Sequence, residues 1–247
     1  MSIASIISTA TTGLSVAQTR IALASTNVAN AETPGYTAKT AKVATQVVGG
    51  QGNGVQIVGV GSDIDEKLHQ GVVQSISTSA YDATIASYLE TISSTFGSTE
   101  DGADLTNALA DLETALSDVI ADPSDTSAVN KLVDALAAWG DTINGASDSV
   151  QSTRTSADQA IAEDVESVNK LLYQVDDLND QITRALANGD PTSDLEDQRR
   201  TALETLGQYV DITTFTTNSG ATQIYTTSGQ ALLTSHVNEL SLSLIHI

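Results

Sequence analysis

Asp176, Asp177 and Asp180 are the first residues whose spacing could do chemistry. On one helix they would crowd three carboxylates near a single surface, the raw material of a metal site or of acid–base work. The chain holds 31 Asp and Glu, so such groupings arise by chance, and a solvated helix face accounts for this one. Asp101, Asp104 and Asp111 do not follow the calcium-loop pattern, because Gly102 is misplaced for it. His69, His236 and His246 form no H-x-x-x-H pair, no G-x-S-x-G elbow sets a serine beside a base, and no P-loop is present. The spacings Gly52/Gly54 and Gly59/Gly61 lack the third glycine that should open a helix and hold a dinucleotide. Asp197-Gln198-Arg199-Arg200 fits a helix-surface or inter-helix polar contact better than a catalytic set. No catalytic, cofactor-binding or metal-binding residue is assigned, no cofactor is expected, and the chain reads as a non-enzyme.

Composition agrees. The 247 residues make one large domain or two small ones, and 40% of them are apolar, enough for a core. The absence of Cys excludes disulfides, thiolate catalysis and Cys-ligated metal centres. The formal charge is −21, so most of the surface should repel nucleic acid and anionic membrane; neither is an expected partner. The charge is uneven. Residues 1–62 carry Arg20, Lys39 and Lys42 against Glu32 alone, whereas almost all the acid lies between 63 and 205. A solvated acidic block thus stands between two nearly neutral ends. No stretch reaches about 18 consecutive apolar residues, so no transmembrane helix is indicated. The first basic residue is Arg20, which makes the N-terminus a poor secretory signal.

Three kinds of element follow from periodicity. Ile3, Ile7, Ala10, Leu14, Ala17, Ile21, Ala24 and Val28 alternate by four and three, an a/d seam held for more than three heptads. Such a coiled-coil helix would be about 39 Å long. With three alanines in it, the seam is weak alone and calls for a partner helix. Pro34-Gly35 supplies the central pair of a type II turn and predicts a sharp corner after Asn30. Residues 43–60 read as two strands around a Gly52-Asn53-Gly54 turn. From 63 to 207 the period is helical, with apolar runs Tyr81–Phe96, Leu105–Ile120, Val129–Val150 and Ile161–Leu186. Breaks fall at Gly97–Gly102, Asp122–Ser124 and Asn188–Pro191, and a last helix covers Asp194–Tyr209. After Val210 the period is two again, giving a hairpin about Asn218-Ser219-Gly220 and a third strand near Gln230–Leu233. The fold class is mainly α: an elongated helical bundle with an N-terminal coiled-coil helix, a small β-hairpin near 43–60 and the β-rich start of an outer domain. Expected domains are 1–62, 63–207 and 208–247.

The stretch Ser25-x-Asn27-Val28-Ala29-Asn30, continuing through Thr33-Pro34-Gly35-Tyr36, resembles the N-terminal signature of the bacterial flagellar rod, hook and hook-associated proteins. Val28 stands where that family usually has Ile. The resemblance marks Asn27, Asn30, Thr33, Pro34, Gly35 and Tyr36 as family-motif residues. It implies that the N-terminal helix helps to build the inner tube of the flagellar axis, and that the chain leaves the cell through the flagellar type III export apparatus. Implied partners are copies of itself, hook protein, the next hook-associated or filament subunits, and an export chaperone.

Within the family, a long helical block after the hairpin is similar to the hook-associated proteins of the hook–filament junction. Gly52–Val55, the Val168-Asn169-x-Leu171-Leu172 and Leu178-Asn179-x-x-Ile182 stretches, and Leu195 through Arg199 to Leu206 add to that likeness. The ending Leu240–Ile247 is unlike the family, and the expected reading is an N-terminal portion of a longer protein. Two alternatives compete: another rod or hook axial protein, and a secreted helical adhesin or binding module, which leaves Asn27–Tyr36 unexplained.

Overall fold

The N-terminal helix α1, Ile3–Ala29, is rich in Ser and Thr, which ordinarily compete with the helix for backbone hydrogen bonds. Here the hydroxyls turn back on their own helix. Thr11 donates to the Ile7 carbonyl, Thr19 to Ser15, Ser25 to Ile21 and Thr26 to Ala22, at 2.9–3.2 Å. The structure, a computed structural model, describes residues 3–48, 51–62, 64–96 and 105–243.

The remaining elements are β1 Lys39–Val48, β2 Gln51–Ser62, α2 Glu66–Thr95, α3 Leu105–Ala121, α4 Thr126–Asn188, α5 Ser193–Gly207, β3 Ile212–Thr216, β4 Thr222–Thr226 and β5 Ala231–Leu233. The class is mainly α, with a small antiparallel hairpin near the N-terminus and a small sheet near the C-terminus. Caps punctuate the helices as the sequence requires. The Asp65 carboxylate accepts from the backbone N–H of Lys67 and Leu68 at the start of α2, and Asp125 accepts from Ser127 at the start of α4. The expected break at Asp122–Ser124 separates α3 from α4, and the one at 97–102 lies outside the described residues. The runs Val129–Val150 and Ile161–Leu186 fall on one uninterrupted helix of 63 residues.

The chain clusters into two compact units, Met1–Ala80 with Val165–Ile247, and Tyr81–Asp164, so the limits fall inside α2 and α4. The core of the first unit gathers Val73 of α2, Val168, Leu172 and Val175 of α4, Ala202, Leu203 and Leu206 of α5, and Ile212, Ile224, Leu232 and Leu233 of the C-terminal sheet. That sheet is antiparallel in the order β3-β4-β5, with Ile212 opposite Thr226 and Thr216 opposite Thr222. Val237 and Leu240 pack against the same core. In the second unit Ala115 and Ala128 are buried, while Leu109, Leu116, Ile120, Val133 and Leu136 remain exposed. The Thr95 and Ser149 hydroxyls share a hydrogen bond of 2.9 Å there.

The N-terminal hairpin differs from its sequence reading in one respect. Val48 pairs with Gln51, so the reversal precedes Gly52-Asn53-Gly54, and those residues lie in β2. Gly54 serves another purpose. Its φ is +105°, and a Cβ there would strike the Thr12 hydroxyl of α1 and crowd the Thr9 backbone. The glycine lets α1 lie directly on β2, where the Val55 N–H donates to the Thr12 hydroxyl at 3.3 Å.

Candidate functional site

The helix α1 has two unlike faces. Val16 is buried, and Ser8, Thr12, Thr19, Leu23 and Asn27 beside it are partly buried. This mixed face, centred on Val16, rests on the hairpin. The seam faces away: Ile3, Ile7, Ala10, Leu14, Ala17, Ile21, Ala24 and Val28 are all exposed, Leu14 at 60% and Val28 at 78%. The apolar stripe therefore has no cover in this chain among the described residues, and the opposite face holds the helix in place.

At the end of α1 the motif residues build a corner. Thr33 to Tyr36 forms the turn, closed by the Tyr36 N–H on the Thr33 carbonyl at 3.1 Å, with Gly35 at φ +78° as the type II turn demands. A Cβ on Gly35 would collide with the Thr201 hydroxyl, so this glycine also permits the corner to touch α5. Asn30 steadies the approach: its amide donates to the Thr26 carbonyl, and its side-chain oxygen accepts from the Thr33 hydroxyl. Asn27 does the most. Its amide donates to the Lys39 carbonyl at 3.0 Å, while its oxygen accepts from the Lys39 N–H and from the Tyr36 hydroxyl, both at 2.8 Å. One side chain thus replaces a strand partner for Lys39 and pins the tyrosine. Pro34 precedes the glycine and fixes φ for the turn.

The corner is bolted to α5 by a buried charge network. Lys39 is 4% exposed and Asp197 7%. The Lys39 ammonium donates to Asp197, to the Ser193 carbonyl at 2.9 Å and to the Thr37 hydroxyl, and it sits 5.1 Å from the centre of the Tyr36 ring. Asp197 also accepts from the Thr37 N–H and hydroxyl and, at 2.7 Å, from Arg200. Burial alone would raise the Asp197 carboxyl, but the hydrogen bonds from Lys39, Thr37 and Arg200 outweigh it and hold the group below its usual value. Burial, then the charges of Asp194 and Asp197, push the Tyr36 phenol up, so it stays a donor. The sequence reads Asp197 as a helix-surface or inter-helix polar contact, whereas its partners Thr37 and Lys39 lie in the corner and β1. Lys39 was missed as its partner, and the signal available was a lysine in an acid-free segment next to the motif.

Asn27 has two counterparts. Asn179 grips Thr222 by both backbone groups at 2.8 Å, and Asn169 grips Leu240 likewise at 2.9 Å. Each helix asparagine holds one residue of another segment by its N–H and its C=O. Arg199 completes the second clamp, donating to the Asn179 side-chain oxygen and to the Gly220 carbonyl, and burial lowers its guanidinium against the opposing charges of Glu196 and Glu66. The Asp176, Asp177, Asp180 group lies on α4. Burial and then the neighbouring carboxylates raise Asp176, and Gln181 donates to Asp177. No group of three or more potential ligands able to hold a metal is found among the described residues.

A polar cavity in the first unit is lined by Glu66, His69, Glu196, Arg199 and Arg200. Burial lowers the His69 imidazole from its usual 6.5, Glu204 and Glu66 oppose this, and Arg200 adds to it; Nε2 is buried without a partner. The unfolded chain takes this proton near 6.5 and the folded one only at lower pH. The stabilisation is therefore complete above about 6.5 and declines as pH falls toward the folded value, by at most about 1.4 kcal/mol per unit. His69→Gln should remove that decline in urea titrations between pH 7 and 5. It should leave the separate loss below about 3.8, where Asp197 protonates.

Two family models match the chain. One, described as the flagella basal body rod protein, covers residues 7–37, which are α1 and its corner. The seam and the corner are thus the part of the chain that resembles a flagellar rod protein. The other, the flagellar hook-associated protein FlgK helical domain, covers residues 89–244, more than half of the chain. The chain belongs to the FlgK family of flagellar hook-associated proteins. That match runs to residue 244, into the ending Leu240–Ile247 that is unlike the family in sequence, and Leu240 packs against the core. Among solved structures, the flagellar hook junction protein FlgK from Burkholderia pseudomallei shares the fold, with a TM-score of 0.57 at 23% identity over 69% of this chain. The likeness spans 29% of that longer protein. A comparison with curated protein sequences gives no match.

Proposed function

We propose that this chain is a structural, non-enzymatic subunit that joins the flagellar hook to the filament. One observation carries the reading: α1 displays its entire a/d seam to solvent while its other face is committed to the hairpin. An exposed apolar stripe of this length is a docking surface for other helices. Adjacent copies and hook subunits supply those helices in the axial tube. The corner from Thr33 to Lys39, locked on α5, fixes the angle between α1 and the body of the first unit. The acidic helices of Tyr81–Asp164 face lateral neighbours. Export through the flagellar type III apparatus, aided by a chaperone, and a position at the hook–filament junction complete the proposal.

The test uses purified hooks. Incubated with the chain and sedimented, hooks should carry it down in an amount that saturates at a few tens of copies or fewer per hook, and electron microscopy should find it at hook ends. Binding along the hook sides, or no co-sedimentation at all, would overturn the reading.

A further inference from the structure

The helix α1 carries a single charge in 27 residues, Arg20, and the fold gives that charge no partner. The side chain is exposed and makes no hydrogen bond or ion pair among the described residues. Its place on the helix is informative. Arg20 lies one turn from both Ala17 and Ala24, so it borders the seam. Val16 and Leu23, of the face seated on the hairpin, are its neighbours on the other side. With Ile7, Leu14, Ile21 and Val28 at a and Ala10, Ala17 and Ala24 at d, Arg20 stands at g, a flank whose charges choose a partner and its direction. A groove of about 320 Å³ opens beside it, lined by Arg20, Leu23, Ala24 and Asn27 of α1 and by Lys39 to Ala41 of β1. The Lys39 ammonium is committed to Asp197, so the Arg20 guanidinium is the charge this groove offers.

A second α1 cannot answer that charge. Its flanks hold Ala4, Thr11, Gln18 and Ser25 on one side and Ile6, Gly13 and Asn27 beside Arg20 on the other, with no acid among them. Packed on its like in either direction, α1 would draw two arginines toward the interface without a counter-charge. The acidic helices of a second copy answer too strongly. Residues 81–164 carry sixteen Asp and Glu against Lys131 and Arg154, so one arginine would leave most of those carboxylates unpaired as the surfaces closed. One cation calls for one anion on an otherwise neutral, apolar helix. The seam itself needs such a mark. Its alanines recur at every d position from 10 to 24, so a slip of one heptad changes its apolar contacts little, whereas an ion pair singles out one register. We infer that the seam of α1 docks on a helix of the hook end that is apolar at a and d and sets one carboxylate against Arg20. The stem of that acid lies in the groove along Leu23 and Ala24, and the planar guanidinium holds the carboxylate at two points. The inference rests on the hook-joining reading above and adds to it the charge that selects the partner helix.

Arg20 is exposed and unbonded, so its variants should unfold in urea as the unaltered chain does. In sedimentation with purified hooks at low salt, Arg20→Glu should weaken binding about tenfold, Arg20→Gln about threefold and Arg20→Lys by less than about twofold. Added salt should weaken the unaltered chain more than it weakens Arg20→Gln. Arg20→Lys also supplies an amine, and residues 1–38 contain no lysine of their own. A carbodiimide activates a carboxylate, the amine displaces the activated oxygen as a urea, and an amide joins the two side chains without a spacer. Mass spectrometry should place the amide from position 20 on an Asp or Glu of the hook protein. Amides to this chain itself, or none from position 20, would overturn the inference. So would full hook binding by Arg20→Glu; if Leu14→Asp still loses binding, the axial reading survives, and if both variants bind fully, both readings fall.

Discussion

Replacing Lys39 by methionine should destabilise the first unit by about 3 kcal/mol, at the lower end of the cost of stripping one partner from a buried ion pair. Methionine nearly matches the lysine stem in volume, so packing changes little and the loss isolates the charge. Asp197 would keep Arg200 at 2.7 Å and the two donors of Thr37, which is why the cost stays at the low end. Four other contacts go with the ammonium: the Ser193 carbonyl, the Thr37 hydroxyl, the Asp194 carboxylate at 3.6 Å and the face of the Tyr36 ring. Urea unfolding gives the overall figure. Amide exchange at Thr37 gives the local one, because its N–H donates to Asp197 and should lose protection before the core around Leu172 does. A loss below 1 kcal/mol would mean that solvent screens the pair.

This network marks where sequence reasoning stops. The seam of α1, the Pro34-Gly35 turn and the stripe Val168–Leu172–Val175–Leu178–Ile182 are local patterns, and periodicity and turn chemistry are local physics, so they could be read directly. Lys39 and Asp197 stand 158 residues apart. Among 41 charged side chains no rule of spacing selects that pair. The asparagine clamps show the same limit more finely. Asn27, Asn169 and Asn179 all fall in stretches that look distinctive, yet a sequence cannot say that each grips one residue from elsewhere in the chain. Gly52-Asn53-Gly54 failed for a related reason. Three residues with every mark of a turn were placed by the demand of α1 for a close approach at Gly54, and a tertiary contact outweighed a local propensity. The support of α1 by the hairpin belongs here too: its contact face carries only Val16 and Leu23 among Ser8, Thr12, Thr19 and Asn27, too few apolar residues for periodicity to single out.

Leu14→Asp should abolish co-sedimentation with hooks, a loss of at least a hundredfold in affinity, without unfolding the chain. Leu14 is 60% exposed and sits mid-seam, so in the free chain aspartate meets water and stability should move by about 0.5 kcal/mol or less. In an assembled tube the same carboxylate would be taken from water and set among Ile7, Ala10, Ala17 and Ile21, where it finds no donor on its own seam. Leu14→Ala provides the scale. Losing the leucine's apolar area should weaken binding by about 1.5–3 kcal/mol, roughly ten- to a hundredfold. Aspartate adds the cost of burying a charge, several kcal/mol per ion even after relaxation. Ser15→Asp, one position along and off the seam, should bind hooks as the unaltered chain does. The ordering Ser15→Asp, then Leu14→Ala, then Leu14→Asp follows from the seam being the buried surface. Equal binding by all three would show that α1 lies elsewhere than in the interface, and would leave the acidic helices to carry assembly without it.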